Sequence, residues 1–583
     1  MLKFHDMRIS ALILLFIVTS GFVSAQSSYL TLNEDYYHLI DRNEMKTGKI
    51  MPFFFSTVKP YKRSDIIDFV DSIVQLDMFT SRADRFNYEY LNNDSWEWSE
   101  TDSSDSRRPI LKYFYRKKPD LIHVSIPDFD LHINPVIYFG AGSDSQRDDM
   151  LFINTRGAEV RGMIDKRVGF YAYLTDNQMV LPSYVWDDIT NINPVIPHEG
   201  FWKEFKTGKG VDFLQARGSI SVDVSRHINV QLGHDKFFIG NGYRSLIFSD
   251  NPPPSLFFKA NVKVWKINYL FLINQSTAGV SISGNGRGTS SGLKAENGGY
   301  PQKFTAFHHL SINIGKKLNV GVFESVVFSA DDTTGVRIFR FDYINPIIFY
   351  RAIEQQNGSS DNVLLGLDFK WNAARKLSFY GQFMLDEFVL NNVTAGNGWW
   401  ANKFAIQGGV KYIDAFGVPN LDLQGEVNIV RPYTYTHNTM FGDYTSYQQS
   451  MAHPLGANFN EVVGILRYQP LPRMNIIGKL VMTSIGRDSV NGKSNYGSEI
   501  LKPNTTRNNG LSDPDYGNKI GQGIHNDILF GSFTLSWQLK HNLFIDGQVI
   551  VRQSKSEYAY YNKNAAITSL ALRWNIARRL YEF

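Results

Sequence analysis

Two adjacent pairs in this sequence set acid–base groups side by side: Asp386 with Glu387, and His234 with Asp235. Both pairs fall in stretches that read as strands. Neighbours in a strand point to opposite faces, so neither pair can flank one glycosidic bond as a hydrolase requires. Asp386 reads better as part of a polar luminal network with Gln382 and charges on neighbouring strands. His437 and His453 share a long loop, with no third ligand at metal spacing. The chain has no Cys, which removes thiol nucleophiles, thiolate metal sites, disulfides and lipoprotein anchoring. No nucleophile elbow, phosphate-cradling loop or dinucleotide fingerprint occurs. The expectation is a non-enzyme with no catalytic residue, cofactor or metal.

Binding chemistry is better represented. Gly240, Asn241, Gly242, Tyr243, Arg244 and Ser245, followed by Asp250 and Asn251, form a Gly-rich aromatic stretch at a strand end. Gly240 and Gly242 allow a bend at a barrel rim or a close chain approach. Arg244 suits either an anionic sugar carboxylate in a bidentate fork or a luminal carboxylate such as Asp235 or Asp250, with the second preferred. Tyr184, Trp186, Trp399, Trp400, Tyr433, Tyr435, Tyr444 and Tyr447 set rings among Asn, Thr, Asp and Gln in long connections. Such mixtures suit sugars, which have an apolar face and a rim of hydroxyls. The same rings could instead form an interfacial girdle or pack loops together. Packing is favoured for Tyr433 and Tyr435, and the two readings stand level for Trp399 and Trp400. His437 completes the set of candidate glycan-contact or structural-signature residues.

The elements that must position these residues follow from periodicity. Lys3 and Arg8, an apolar run from Ile9 to Val23, and Val23-Ser24-Ala25 read as a secretory signal over residues 1–25, cleaved after Ala25. Residues 26–120 read as a helical periplasmic segment and linker. Ile66, Phe69, Val70, Ile73 and Val74 recur at helical spacing, Ser64 stands as N-cap, and Gly48, Pro52 and Pro60 act as breaks. Whether this segment sits inside or below the rest stays open.

Residues 121–583 read as the barrel, and from about Asp128 to the end the period becomes two. Eighteen segments result: 128–141, 149–163, 167–178, 213–224, 227–238, 255–264, 266–275, 304–314, 317–329, 361–371, 375–388, 402–413, 418–431, 458–469, 472–485, 527–540, 541–554 and 565–577. Leu421, Leu423, Val427 and Ile429, for example, oppose Asp422, Gln424, Glu426 and Asn428. Apolar faces of nine to eleven residues match a tilted strand crossing a bilayer. Connections alternate between long and short, as an even-stranded barrel with both termini on one side demands. Aromatic residues are 14% of the chain and mean hydropathy is only -0.25, consistent with aromatic girdles around a polar lumen. The net charge of +4 carries no basic block, so nucleic acid is not an expected partner. The expected fold is an all-β transmembrane barrel of about eighteen antiparallel strands in outer-membrane lipid, with a small N-terminal α-helical periplasmic segment. Its final strand would end at an aromatic residue, Phe583, like the signal read by outer-membrane assembly machinery.

The block from Gly233 to Pro252 resembles the signature of Wzi-type outer-membrane barrels, in which a Gly-rich strand end leads into a Ser-Leu-x-x-Ser-x-Asn loop. Asn345-Pro346-Ile347, Gln356-Asn357-Gly358, Tyr380-Gly381-Gln382 with Asp386-Glu387, and Arg431-Pro432-Tyr433 through His453-Pro454-Leu455-Gly456 follow in the same order. Phe152 to Glu159 is similar to the Bacteroidetes RemB-like branch. The resemblance implies an eighteen-stranded barrel with a helical bundle near its periplasmic mouth. It further implies a surface lectin that holds capsular or extracellular polysaccharide, with the RemB-like branch linked to gliding motility. A transport porin and a subunit of a larger secretion or motility machine are the alternatives.

Overall fold

The computed structural model describes residues 27–582 apart from 75, 77, 100–102, 192, 207, 279–301, 330, 333–334, 337–340, 348–360 and 490–493. The signal segment, Gln356 to Gly358 and Phe583 lie outside the described residues.

Eighteen antiparallel strands close on themselves. They are β1 Phe129–Asp144, β2 Arg147–Ile164, β3 Val168–Val180, β4 Gly210–Ser225, β5 Ile228–Asp235 and β6 Ser255–Val264. Next come β7 Ile267–Thr277, β8 Gln302–Ile314, β9 Leu318–Ser329, β10 Asn362–Ala374, β11 Leu377–Glu387 and β12 Lys403–Tyr412. The circuit ends with β13 Leu421–Val430, β14 Phe459–Leu471, β15 Met474–Arg487, β16 Ile524–Lys540, β17 Leu543–Ser556 and β18 Ala565–Trp574. β18 closes on β1 with Trp574 opposite Ile137 and Ile567 opposite Asp144. Each of the eighteen period-two segments corresponds to one of these strands.

The division within 255–275, where no Gly or Pro marks a turn, falls at Trp265. That residue takes φ 54° between the paired Val264 and Ile267. A tryptophan thus occupies the left-handed position where turn rules look for Gly or Asn.

Burial is inverted relative to a soluble protein. Leu214, Leu232, Phe533, Val549 and Leu570 are exposed on the outer face, while Lys370, Asp368, Gln382, Glu426, Glu461 and Arg573 are buried inside. An apolar exterior around a polar interior is the pattern a lipid-embedded barrel requires. At one end the turns are mostly of two or three residues, as at 226–227, 265–266 and 541–542; at the other lie 181–209, 236–254, 431–458 and 488–523.

The N-terminal helices α1 Glu34–Thr47, α2 Arg63–Val74 and α3 Arg82–Asp94 share a core that includes Ile40, Phe54, Ile66, Phe69 and Leu91. Asn33 caps α1, and Gly48 ends it at φ 67°. α2 begins at Arg63, so Ser64 is inside the helix and is not its N-cap. Instead the Ser27 hydroxyl accepts from the Ser64 N–H at 3.0 Å. The helices sit within the short-turn mouth against the inner wall. Arg42 pairs with Asp422 and Asp414 at 2.5 Å each, and Lys370 pairs with Asp41 at 2.5 Å and with Glu44. α3 reaches the strand ends through Asn87 to Gln469 at 2.7 Å and Asp94 to His541 at 3.1 Å.

The final strand stops at Trp574 rather than continuing to the chain end. Asn575 takes φ 53°, and residues 575–582 turn back into the lumen. Their charges explain the turn: Arg578 meets Asp35 at 2.5 Å, and Glu582 meets Lys479 at 2.8 Å. The amphipathic strand expected over 565–577 is thus formed as far as Trp574, and Phe583 lies outside the described residues.

Candidate functional site in the lumen

The connection 236–254 enters from the long-loop end and folds inward. Its Phe238 and Ile239 pair with Lys59 and Val58, from the segment that links α1 to α2. The Gly240 N–H donates to the Thr57 carbonyl at 2.8 Å, and Lys59 Nζ donates to the Gly240 carbonyl at 2.6 Å. Asn241 accepts from Ser56 Oγ at 2.9 Å and donates to Thr57 Oγ1 at 3.0 Å.

The two glycines are needed for close approach. Gly240 has φ 148°, and a Cβ there would lie 2.6 Å from Gln382 Nε2. A Cβ on Gly242 would lie 2.6 Å from Glu426 Oε2 and 2.8 Å from the Arg244 carbonyl. Glu426 uses that space: its carboxylate accepts from the successive N–H groups of Tyr243 (2.6 Å) and Arg244 (3.0 Å). Ser245 turns the chain, donating to the Ile239 carbonyl at 2.5 Å and accepting from the Ile247 and Phe248 N–H groups at 3.2 Å. Asn251 donates to the Ser450 carbonyl at 2.9 Å, tying this loop to 431–458. The Asp250 carbonyl accepts from Lys236 at 3.2 Å.

Arg244 does satisfy luminal carboxylates, but they are Glu461 at 3.2 Å and Glu582 at 2.8 Å, not Asp235 or Asp250. Asp235 lies instead 3.8 Å from Arg217. Tyr243 donates to Glu582 at 2.5 Å. Burial alone would raise the Glu582 carboxyl, yet Lys479 and Arg244 hold it below its ordinary range; burial and Glu582 push the Tyr243 phenol well up. His453 donates through Nε2 to Glu461 at 2.8 Å while its Nδ1 accepts from the Leu455 N–H at 3.2 Å. Asp386 faces inward against Lys403 at 3.6 Å and accepts from the Tyr435 N–H at 2.8 Å; Gln382 belongs to a separate contact set, donating to the Ile239 carbonyl at 3.0 Å.

Between the helices, loop 236–254 and residues 575–582 is a cavity of about 340 Å³. Its wall includes Tyr37, Lys59, Tyr173, Arg217, Lys236, Tyr243, Arg244 and Glu582.

Trp399, Trp400 and His437 lie apart from this site, in the long-loop cap. Trp400 packs edge-to-face on Tyr433 at 6.3 Å, with the Arg507 guanidinium 4.3 Å over its ring; its main-chain N–H donates to the Asp515 carbonyl at 2.8 Å. Tyr433 and Tyr435 are fully buried packing residues. His437 accepts through its carbonyl from the Asn504 N–H, and burial with Lys403 and Lys303 lowers its imidazole to about 4. Tyr184 is also buried, donating to the Tyr581 carbonyl at 2.5 Å. Among the described residues no three His, Cys, Asp or Glu side chains converge as a metal site. Sequence reasoning missed Ser56, Thr57, Lys479 and Glu582 as parts of the luminal site, because each meets its partner across the barrel.

No protein-family model and no curated protein matches this sequence. Among solved structures, the fold is similar to Wzi of Escherichia coli, an outer-membrane protein involved in group 1 capsule assembly and a carbohydrate-binding β-barrel. The TM-score is 0.55 at 12% identity, covering 94% of this chain and 100% of that one. Pseudomonas aeruginosa OprD aligns at TM-score 0.40 and 9% identity over 76% of this chain and 94% of that one. OpdL from the same organism aligns at 0.39 and 9% over 77% and 99%. The chain has the fold of an eighteen-stranded outer-membrane β-barrel.

Proposed function

We propose that this protein is a non-enzymatic outer-membrane barrel that binds, anchors or organises surface polysaccharide. In this reading residues 1–25 are removed on export, 26–120 form a plug on the periplasmic side, and 121–583 form the barrel with its long loops at the cell surface. One observation carries the reading. The lumen is crossed by a ladder, Val58 to Ile239 and Lys59 to Phe238, joining a segment from one mouth to a loop from the other. A barrel plugged by two parts of its own chain suits holding a ligand better than passing solutes. The aromatic and amide-rich cap around Trp399 and Trp400, and the Wzi likeness, support a glycan as that ligand. A contribution to gliding or adhesion rests on the RemB-like blocks Phe152–Glu159 and Gly233–Asp250, with motility or secretion proteins as partners.

The test is the partition of surface polysaccharide between cells and medium in a strain lacking the protein. Release into the medium at normal total amount is expected for an anchor. Unchanged cell-bound polysaccharide overturns the reading, and a large steady conductance of the purified barrel would favour the porin.

A further inference from the structure

The wall of the luminal cavity carries eight lysine and arginine side chains against five carboxylates, those of Glu34, Asp41, Glu199, Asp250 and Glu582. Lys59 and Lys236 reach main-chain carbonyls as hydrogen-bond partners, those of Gly240 and Asp250 among them. Arg217 lies 4.3 Å over the Tyr173 ring and 3.8 Å from Asp235, and its buried Nε has no hydrogen-bond partner among the described residues. Burial and the neighbouring Lys411 lower the Lys59 ammonium to about 7, and burial also lowers Lys236. An anion brought among these groups would favour their charged forms.

A carboxylate already demonstrates the chemistry. Glu582 is gripped by Arg244 and Lys479 at 2.8 Å each and by Tyr243 at 2.5 Å, on the cavity wall and on a chain segment that belongs to no barrel strand. The rest of the wall is suited to a hydroxyl-rich body. Tyr37 and Phe238 place aromatic rings on the wall, the Phe238 ring under Lys59 at 4.7 Å, and Gln215 adds a planar amide. At about 340 Å³ the space is at the small end of ligand pockets, enough for one or two sugar rings.

We propose that this chamber is a binding site for a carboxylate-bearing, uronic-acid type saccharide unit, with Glu582 as the built-in competitor for its anionic contacts. The inference rests on the polysaccharide reading above and names a ligand class and a place for it.

The experiment is calorimetric titration of the purified full-length barrel with digalacturonate, its carboxyl-reduced neutral counterpart, and inorganic phosphate. Digalacturonate is expected to bind, about tenfold more tightly to Glu582→Gln and at least tenfold more weakly to the Lys59→Met/Lys236→Met double variant. Lys59→Arg alone should keep most of the wild-type affinity, and heat-modifiable migration in gels reports that each variant is folded. The neutral sugar should not bind. Absence of digalacturonate binding to both wild type and Glu582→Gln overturns the proposal, as does phosphate binding of equal strength and equal sensitivity to the variants. If polysaccharide is shed from cells carrying Trp399→Ala but not from cells carrying the lysine variants, the anchor reading stands and the chamber assignment fails.

Discussion

Ile239 lies opposite Val58 in a two-residue antiparallel ladder, so a loop entering the barrel from one end meets a chain entering from the other. This contact bridges the lumen of an eighteen-stranded barrel, a lumen otherwise wide enough for an aqueous channel. Removing residues 27–120 should therefore open it. Planar-bilayer recordings are expected to show a large steady conductance for the truncated barrel and little for the full chain. Equal conductances would show that the plug does not close the pore.

The docking of α1 depends on Arg42, which faces Asp422 and Asp414 at 2.5 Å and Asp84 at 3.4 Å, all largely buried. Arg42→Met would remove the cation common to all three, leaving Lys46 beside Asp84 at 2.6 Å and His38 beside Asp422 at 3.0 Å. Breaking one side of a buried ion-pair network costs about 3–5 kcal/mol. The loss should fall on the plug, seen as faster hydrogen exchange in α1 and α3 with protection of β13 retained at the strand centre. Unchanged exchange in both helices would count against this account.

Acid should release the plug by the same route. Burial alone would raise Asp35, but Arg578 and Arg573 bring it down to about 2; Asp84 likewise falls to about 2 through Lys46 and Arg42. An unfolded aspartate titrates near 3.9. A carboxyl whose folded value is depressed stabilises above the unfolded value and loses that contribution as pH falls through the folded one. Plug docking should thus be insensitive to pH from 7 to about 5 and weaken between about 4 and 2. Exchange protection of α1 measured across that window checks it, and a midpoint near pH 6 would contradict it.

Strand positions were readable because a lipid-facing exterior forces strict alternation, as in Leu421 to Ile429, and each slip of one residue would send charges such as Glu426 into lipid. The partners of those charges were not readable. Arg244 finds Glu461 and Glu582, and Asp41 finds Lys370 and Lys411, across a lumen whose diameter no local pattern encodes. The start of α2 was misplaced for a related reason, since its capping hydroxyl comes from Ser27, far back in the chain. The C-terminal turn was hidden because Ile576 continues the two-residue rhythm of Leu570, Leu572 and Trp574. What ends the strand is the left-handed Asn575 and the pull of luminal counter-charges.

The glycines of the signature should differ in cost by what surrounds them. At Gly242 an added methyl meets the Glu426 carboxylate at 2.6 Å and the Arg244 main chain at 2.8 Å. At Gly408, on β12, nothing lies within 4 Å. Gly242→Ala should displace Glu426 from the Tyr243 and Arg244 N–H groups and loosen loop 236–254, whereas Gly408→Ala should be near neutral. Overpacking of this kind typically costs about 1–3 kcal/mol. Limited proteolysis within 236–254 measures the difference, and equal cleavage of the two variants would refute it.

The cap offers the sharpest separation between packing and binding. The half-buried Trp400 ring is held by Tyr433, by the Arg507 guanidinium at 4.3 Å and by Lys403 at 5.4 Å, whereas among the described residues the equally half-buried Trp399 ring has one ring contact, with Trp400 at 6.3 Å. Trp400→Ala should therefore loosen the packing of 388–402 against 488–523 and lower the thermal resistance of the cap. Trp399→Ala should leave that packing intact, so any polysaccharide it releases from cells reports a lost glycan contact. Stacking of a sugar on the open part of this ring predicts that Trp399→Phe keeps most of the retention and Trp399→Ala loses it. Full retention by Trp399→Ala, with normal protein levels, would assign Trp399 to packing and leave the glycan contacts to other loop residues.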